Sequence, residues 1–281
     1  MSTSTPTPTS RTGRAAGSAL MLLLTIVMAL PLVWLVIASV TSPQEMYTLS
    51  SQGLPRNATL DNYASAADTI PLGRLFLNSV VITALGAGLK VVLGICCAYA
   101  LVFLDIPFRG FFFALVIGTL LIPAQITIIP NYALVAQLGW LNTYVGIILP
   151  GLASAFGTFL FRQSFRGLPV SILEAAELDG AGHWRTLWRF VVPLSWPTVA
   201  AVTLVSVVAE WNDYLWPFLV TERADMMTLP VGLTLLKNID GLSNWGVLLS
   251  ATVVVMLPVL VVFLFLQRRL VQGLVAGAVT G

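Results

Sequence analysis

The sequence predicts an all-α membrane protein built from six transmembrane helices. Hydrophobic residues make up 57% of its 281 positions, charged residues only 9%, and the mean hydropathy is +0.91. A water-soluble globule of this length needs more polar side chains to cover its surface. Six stretches, 18–40, 76–104, 111–131, 142–163, 194–219 and 246–267, are each apolar and long enough to match a hydrocarbon core roughly 30 Å thick.

Residues 1–17, rich in Ser, Thr, Pro and Gly, bury no apolar face and predict a disordered tail. Arg11 and Arg14 precede the first apolar run as in a secretory signal, but the run is too long for one and predicts a retained anchor. The polar segment 41–75, with turn signals at Ser42-Pro43 and Leu54-Pro55, predicts a small cap outside the bundle. Lys90 falls near the middle of the second span, too far from either end to snorkel easily. Its helical neighbours Thr83, Gly86, Ala87, Gly94 and Cys97 make a small-residue face suited to close packing, which turns Lys90 into protein, toward Glu210 or Asp213. The adjacent Cys96 and Cys97 cannot form an ordinary structural disulfide with each other and are read as small packing residues.

Arginine and lysine set the orientation. With six spans, Arg11, Arg14, Arg109, Arg162, Arg166, Arg185, Arg189, Arg268 and Arg269 fall on one side, while Arg56, Arg74, Arg223 and Lys237 fall on the other. The richer side is cytoplasmic, and both termini with it. A net charge of +2 gives no footprint for nucleic acid.

The segment 164–193 between spans four and five is the one long loop on that side. After Pro169, Ser171-Ile172-Leu173-Glu174 reads as a capping box opening a short helix that runs to Leu178 or Asp179. Gly180 suits its end, because glycine takes the left-handed conformation at little cost. A second amphipathic stretch, 183–192, sets Trp184, Leu187, Trp188 and Val191 on one side until Pro193 stops it. Glu174 and Glu177 stand one turn apart without a metal-ligand cluster, and the chain has a single His, so no catalytic residue and no metal site is predicted. Small residues beside bulky apolar ones suggest instead a surface that docks on another protein, with Glu174 available to a partner's arginine.

At membrane depth, Gln125, Glu210, Trp211, Asn212, Asp213 and Lys90 are the candidates for a translocation path, since polar groups there usually face protein or water. Pro123, Pro130, Pro150 and Pro258 can free backbone carbonyls along it. The competing reading of Gln125 and the prolines is helix packing alone. Trp211 suits either stacking on a ligand's apolar face or anchoring at the interface.

Glu174-Ala175-Ala176, Asp179-Gly180-Ala181, Phe190 and Pro193-Leu194 resemble the EAA loop of binding-protein-dependent ABC importer permeases. Asn78-Ser79, Ala98-Tyr99-Ala100, Ile122-Pro123, Ile129-Pro130-Asn131-Tyr132 and Trp211-Asn212-Asp213 are similar to elements of the carbohydrate-uptake branch, which includes the smaller permease of the maltose transporter. The resemblance covers about 15–275 and implies a permease domain over 18–275 of the ABC transmembrane type 1, with its coupling loop at 164–193. It implies that Glu174, Ala175, Ala176, Asp179, Gly180 and Ala181 meet a cytoplasmic ATPase: Glu174 accepts a charge-assisted bond, the alanines allow close approach, and Gly180 forms the bend. The implied partners are a second homologous permease, two ATPase subunits, an extracytoplasmic solute-binding protein and membrane lipid, in the cytoplasmic (inner) membrane. The implied cargo is a sugar or related carbohydrate, with no cofactor on this chain and ATP and Mg used by the ATPase. Consistently, the sequence lacks the G-x-x-x-x-G-K-S/T phosphate loop. Lys90 departs from the family pattern, where an aliphatic residue is expected. The alternative from residues alone is a stand-alone ion-coupled transporter using Lys90, Glu210 and Asp213. A membrane-embedded enzyme ranks behind it, because neither H-E-x-x-H nor G-x-S-x-G occurs.

Overall fold

Backbone in hydrocarbon must satisfy its own hydrogen bonds, and the computed structural model is accordingly helical, with no strand among the described residues 11–46, 54–236 and 244–279. Residues 1–10 of the expected tail, 47–53 of the outer segment and Lys237 lie outside the described residues. The chain divides into two units, 1–69 with 236–254, and 70–235 with 255–281.

In the first unit, α1 (Arg11–Ser39) leads to α2 (Pro43–Met46) and α3 (Asp61–Thr69). The tail expected over 1–17 is corrected from Arg11 onward, where α1 has already begun. Ala15 and Ala16 are strong helix formers, and extending an existing helix is far easier than nucleating one. The segment after α1 is tied down by the buried Asn62, whose Nδ2 donates to Ser39 O at 3.0 Å and Thr41 O at 2.8 Å. Glu45 accepts from the backbone N–H of Arg56 at 2.9 Å and from Asn57 Nδ2 at 3.1 Å.

The second unit is organised on α4 (Leu72–Phe103), 32 residues long. It is followed by α5 (Arg109–Thr119), α6 (Ala124–Gln137) and α7 (Tyr144–Ile148), which continues as a 3-10 turn over Leu149–Gly151, and then by α8 (Ala155–Arg166). Next come α9 (Val170–Leu178), α10 (His183–Thr186), a π turn over Leu187–Val191, and α11 (Val192–Leu194). Then follow α12 (Trp196–Trp211), α13 (Leu215–Val220) and α14 (Leu229–Gly232), the last running into a 3-10 turn. The final helix, α15 (Trp245–Val279), passes from the first unit into the second.

Three of the six expected spans are single helices long and apolar enough to cross a membrane: Gly17–Ser39, Leu72–Phe103 and Trp245–Phe265. The other three are broken. Span three divides into α5 and α6 around 120–123, where Pro123 lacks the N–H that would extend the ladder. Span four bends by 50° between Gly151 and Ala155, just past Pro150. Span five turns 85° away from the helix of the preceding loop at Leu194–Trp196, where it was expected to begin, and is interrupted between the end of α12 at Trp211 and the start of α13 at Leu215.

The small-residue face of α4 is where other helices dock. A Cβ on Gly94 would stand 3.3 Å from the Phe161 ring of α8, and one on Gly86 would stand 2.6 Å from Glu210 of α12. Val91, Ile95, Phe161, Phe165, Val199 and Val202 close the core between these three helices. Burying a side chain of this size contributes about 1.5–3 kcal/mol where water is the reference, but between helices already in lipid, close packing has to supply the attraction.

Candidate functional site

The loop between α8 and α12 is a helix, a turn and a second helix. Its first helix, α9, starts at Val170 behind Pro169, and no side chain caps it. The expected Ser171–Glu174 capping box is therefore not formed: the proline presets the backbone one residue earlier and puts Ser171 inside the first turn. The C-terminus follows the sequence expectation. Gly180 has φ +70°, its N–H donates to Glu177 O at 2.9 Å, and Ala181 N–H donates to Ala176 O at 2.9 Å. This pair of bonds is the Schellman motif, which satisfies the last carbonyls and turns the chain sharply. Ala176 is buried beneath the loop, while Glu174, Ala175, Glu177 and Asp179 are exposed on it and Ala181 is half-buried.

The second helix does not stop at Pro193. It continues to Leu194, and the turn before the proline widens to π geometry, with Val192 N–H donating to Leu187 O. Proline offers no N–H and crowds the carbonyl one turn back, and the wider turn absorbs both effects. The expected single apolar side is also divided. Leu187 and Val191 enter the core, whereas Trp184 and Trp188 stay exposed and stack on each other at 6.2 Å. The loop is tied to α4 through Tyr99, whose hydroxyl lies 3.2 Å from His183 Nδ1. Loop, α4 and α8 enclose a cleft of about 820 Å³ whose walls include Tyr99, Arg162, Glu174, Glu177 and His183.

Within the bundle, Lys90 Nζ donates to Glu210 Oε1, so of its two candidate partners the structure selects Glu210. Only 21% and 14% of the two side chains are exposed. Gly86 leaves room for the carboxylate, and Gly151, at the kink of span four, lies against the lysine: a Cβ there would be 3.6 Å from Nζ. The pair thus links α4 to α12 beside a break in a third helix. Asp213, half-buried, follows one turn on, while Asn212 is exposed and bonds back to Val208 O at 2.8 Å. Gln125 is exposed on α6 and shares no hydrogen bond with the pair among the described residues.

Trp211 is neither a stacking platform nor an interfacial anchor. It is 5% exposed, donates from Nε1 to Val255 O at 2.9 Å, and meets Phe76 edge-on at 6.0 Å. The acceptor lies within a turn of Pro258, where the α15 ladder is already short of a donor.

Sequence reasoning did not find the clamp around Asn78. Its Nδ2 donates to Asp225 O and Met227 O, both at 2.9 Å, and Tyr144 donates to its Oδ1 at 2.7 Å. Ser79 next to it accepts from Leu229 N–H at 2.7 Å. The signal was present: two adjacent polar residues in an apolar helix need partners.

Broken apolar helices around a largely buried charge pair, with a two-helix loop between α8 and α12, define a helical membrane protein. The chain belongs to the family of binding-protein-dependent transport system inner membrane components, which matches residues 90–275. It is 40% identical over 210 residues to the sn-glycerol-3-phosphate transport system permease protein UgpE of Yersinia pestis, covering 74% of each chain. It is 33% identical over 267 residues to UgpE of Brucella suis, covering 92% of this chain and 95% of that one. Among solved structures, a chain of a bacterial ABC transporter involved in the import of the acidic polysaccharide alginate matches with TM-score 0.80 and 25% identity, over 94% of this chain and 99% of that one. A second, from an alginate transporter complexed with a pentasaccharide-bound periplasmic protein, has TM-score 0.61 at 16% identity and so speaks for the fold. The chain is therefore a non-catalytic inner-membrane permease subunit of an ABC importer, and ATP hydrolysis resides on a separate subunit. This displaces the ion-coupled reading.

Proposed function

We propose that this permease conducts a carbohydrate or polyol-type solute, of the kind carried by transporters of sn-glycerol-3-phosphate or alginate. It works with a second homologous permease, two cytoplasmic ATPase subunits that use ATP and Mg, and an extracytoplasmic binding protein, with both of its own termini in the cytoplasm. Residues 170–194 are its coupling element. Glu174 accepts a charge-assisted bond from the ATPase, Ala175 and Ala176 permit close approach, and Asp179, Gly180 and Ala181 form the bend that keeps two short helices at a fixed angle. Lys90, Glu210, Asn212, Asp213 and Gln125 belong to the path or its support, while the packed Trp211 leaves that set.

The observation that carries the coupling role is the Schellman turn at Gly180, beside an exposed Glu174 and above a buried Ala176. Such a turn satisfies the last carbonyls of α9 and fixes the direction in which the chain leaves it, which suits an element that transmits a displacement. In proteoliposomes holding the complete importer, Gly180→Val should lower uptake and binding-protein-stimulated ATPase activity together, while the permease remains inserted at the wild-type level. Wild-type uptake and stimulation in that variant would overturn the coupling role. The solute retained by the purified importer's own binding protein tests the cargo class.

A further inference from the structure

Beside the coupling loop, three arginines line one cleft. Arg109 begins α5, and Arg162 and Arg166 sit in the last two turns of α8, all three lining the 820 Å³ cleft. None is in an ion pair among the described residues, although Asp105, Glu174 and Glu177 line the same cleft. Arg109 and Arg166 stand close enough to Arg162 for their charges to repel it. Arg162 lies over the Phe113 ring at 3.7 Å, and its buried Nε has no acceptor. The cleft as a whole has as many carboxylates as arginines, but at the Arg162 corner like charges and an orphaned donor stand together, which suits an anion there, and guanidinium groups match phosphate geometry.

A second cavity adjoins the first. A groove of about 420 Å³ between α4 and α5 is walled by Ala100, Ile106, Phe112, Leu115 and Val116, and Leu101 lines both cavities. Apolar walls running on from the arginine corner of the cleft suit an amphiphile with an anionic head, and basic pockets between helices at a membrane face take phospholipid headgroups. We propose that the two cavities together hold one anionic phospholipid, its phosphate against Arg109, Arg162 and Arg166 and an acyl chain in the groove. The lipid would then brace the wall of the cleft that the coupling loop completes.

The test uses the complete importer, purified in mild detergent from its native membrane and reconstituted in nanodiscs of phosphatidylethanolamine with phosphatidylglycerol. Retained phospholipid per complex is measured by mass spectrometry. Phosphatidylglycerol should be enriched on the wild type, and each of Arg109→Gln, Arg162→Gln and Arg166→Gln should weaken its retention about fivefold. Leu115→Trp, which fills the groove and keeps every charge, should lower it as well, and added inorganic phosphate should not displace it. Displacement by inorganic phosphate together with an unaffected Leu115→Trp would mean a free-phosphate site and would overturn the lipid assignment. Loss of the ATPase subunits from the arginine variants with lipid retention unchanged would assign the cleft to protein docking and overturn it equally.

Discussion

Gly180 and Gly86 serve opposite ends: one supplies backbone freedom, the other room for a side chain. A Cβ on Gly180 would meet nothing within 4 Å, so its need is the left-handed backbone alone. That conformation costs a side-chain-bearing residue about 1–2 kcal/mol, with Asn the best tolerated and a β-branched residue the worst. Uptake in proteoliposomes should therefore fall in the order Gly, Asn, Ala, Val at position 180, and equal loss in Asn and Val would show that the turn is not what matters. At Gly86 the constraint is space, since a Cβ would press on Glu210 Oε2. The pair that Gly86 accommodates makes its own prediction. Lys90→Leu strands a largely buried carboxylate, which costs about 3 kcal/mol or more, whereas Lys90→Leu with Glu210→Leu removes both charges and is expected to regain much of the loss. Thermal unfolding of the detergent-purified complex reads this, and a double variant no more stable than the single one would argue against a direct pair. Normal uptake and assembly in Lys90→Leu itself would reject an essential role for the lysine. The sequence indicated Lys90's direction, because Glu210 and Asp213 are the acids at membrane depth, but the choice between them depended on where Gly86 leaves room.

Elements were legible where their signals are local. Pro169, Gly180 and the intervening apolar residues delimit α9, and the structure ends that helix at Leu178. Breaks inside apolar runs were not legible, because hydropathy is blind to backbone direction: 111–131 and 194–219 read as continuous, yet one divides at 120–123 and the other between Trp211 and Leu215. Long-range polar clamps were equally hidden. Asn78 meets partners 66 to 149 residues away, a separation at which no local pattern helps. Its removal should be felt across elements. Asn78→Ala would orphan the Tyr144 hydroxyl and two carbonyls, at about 1–3 kcal/mol for each group left buried and unpaired, and should expose the 225–229 segment to proteolysis before the rest of the chain. An unchanged cleavage pattern would mean the segment is held otherwise. Gly146→Ala should also destabilise, since its Cβ would come 2.2 Å from the backbone oxygen of Trp140, which cannot swing aside as a side chain does.

At the scale of the whole molecule, the charge pattern turns the number of bilayer crossings into a measurement. Among the described residues, three continuous helices and two bent pairs give up to five crossings by length and composition, while α5 alone is too short to span. If α5 and α6 dipped in and returned, the count would be odd and the termini would lie on opposite faces. That arrangement would set Arg268 and Arg269 against the Arg11 and Arg14 side and weaken the nine-to-four asymmetry. The break at 120–123 is short, and α6 supplies 14 further residues without a charge, so the two segments together are long enough to cross as one broken span. Topology reporters placed at the N-terminus, after Gly281 and within 179–182 should therefore all report the cytoplasm, and those within 54–57 and 222–224 the opposite side. A C-terminal reporter facing away from the cytoplasm with the N-terminal one inside would make α5 and α6 a re-entrant pair. It would also reverse the face on which the last helix ends.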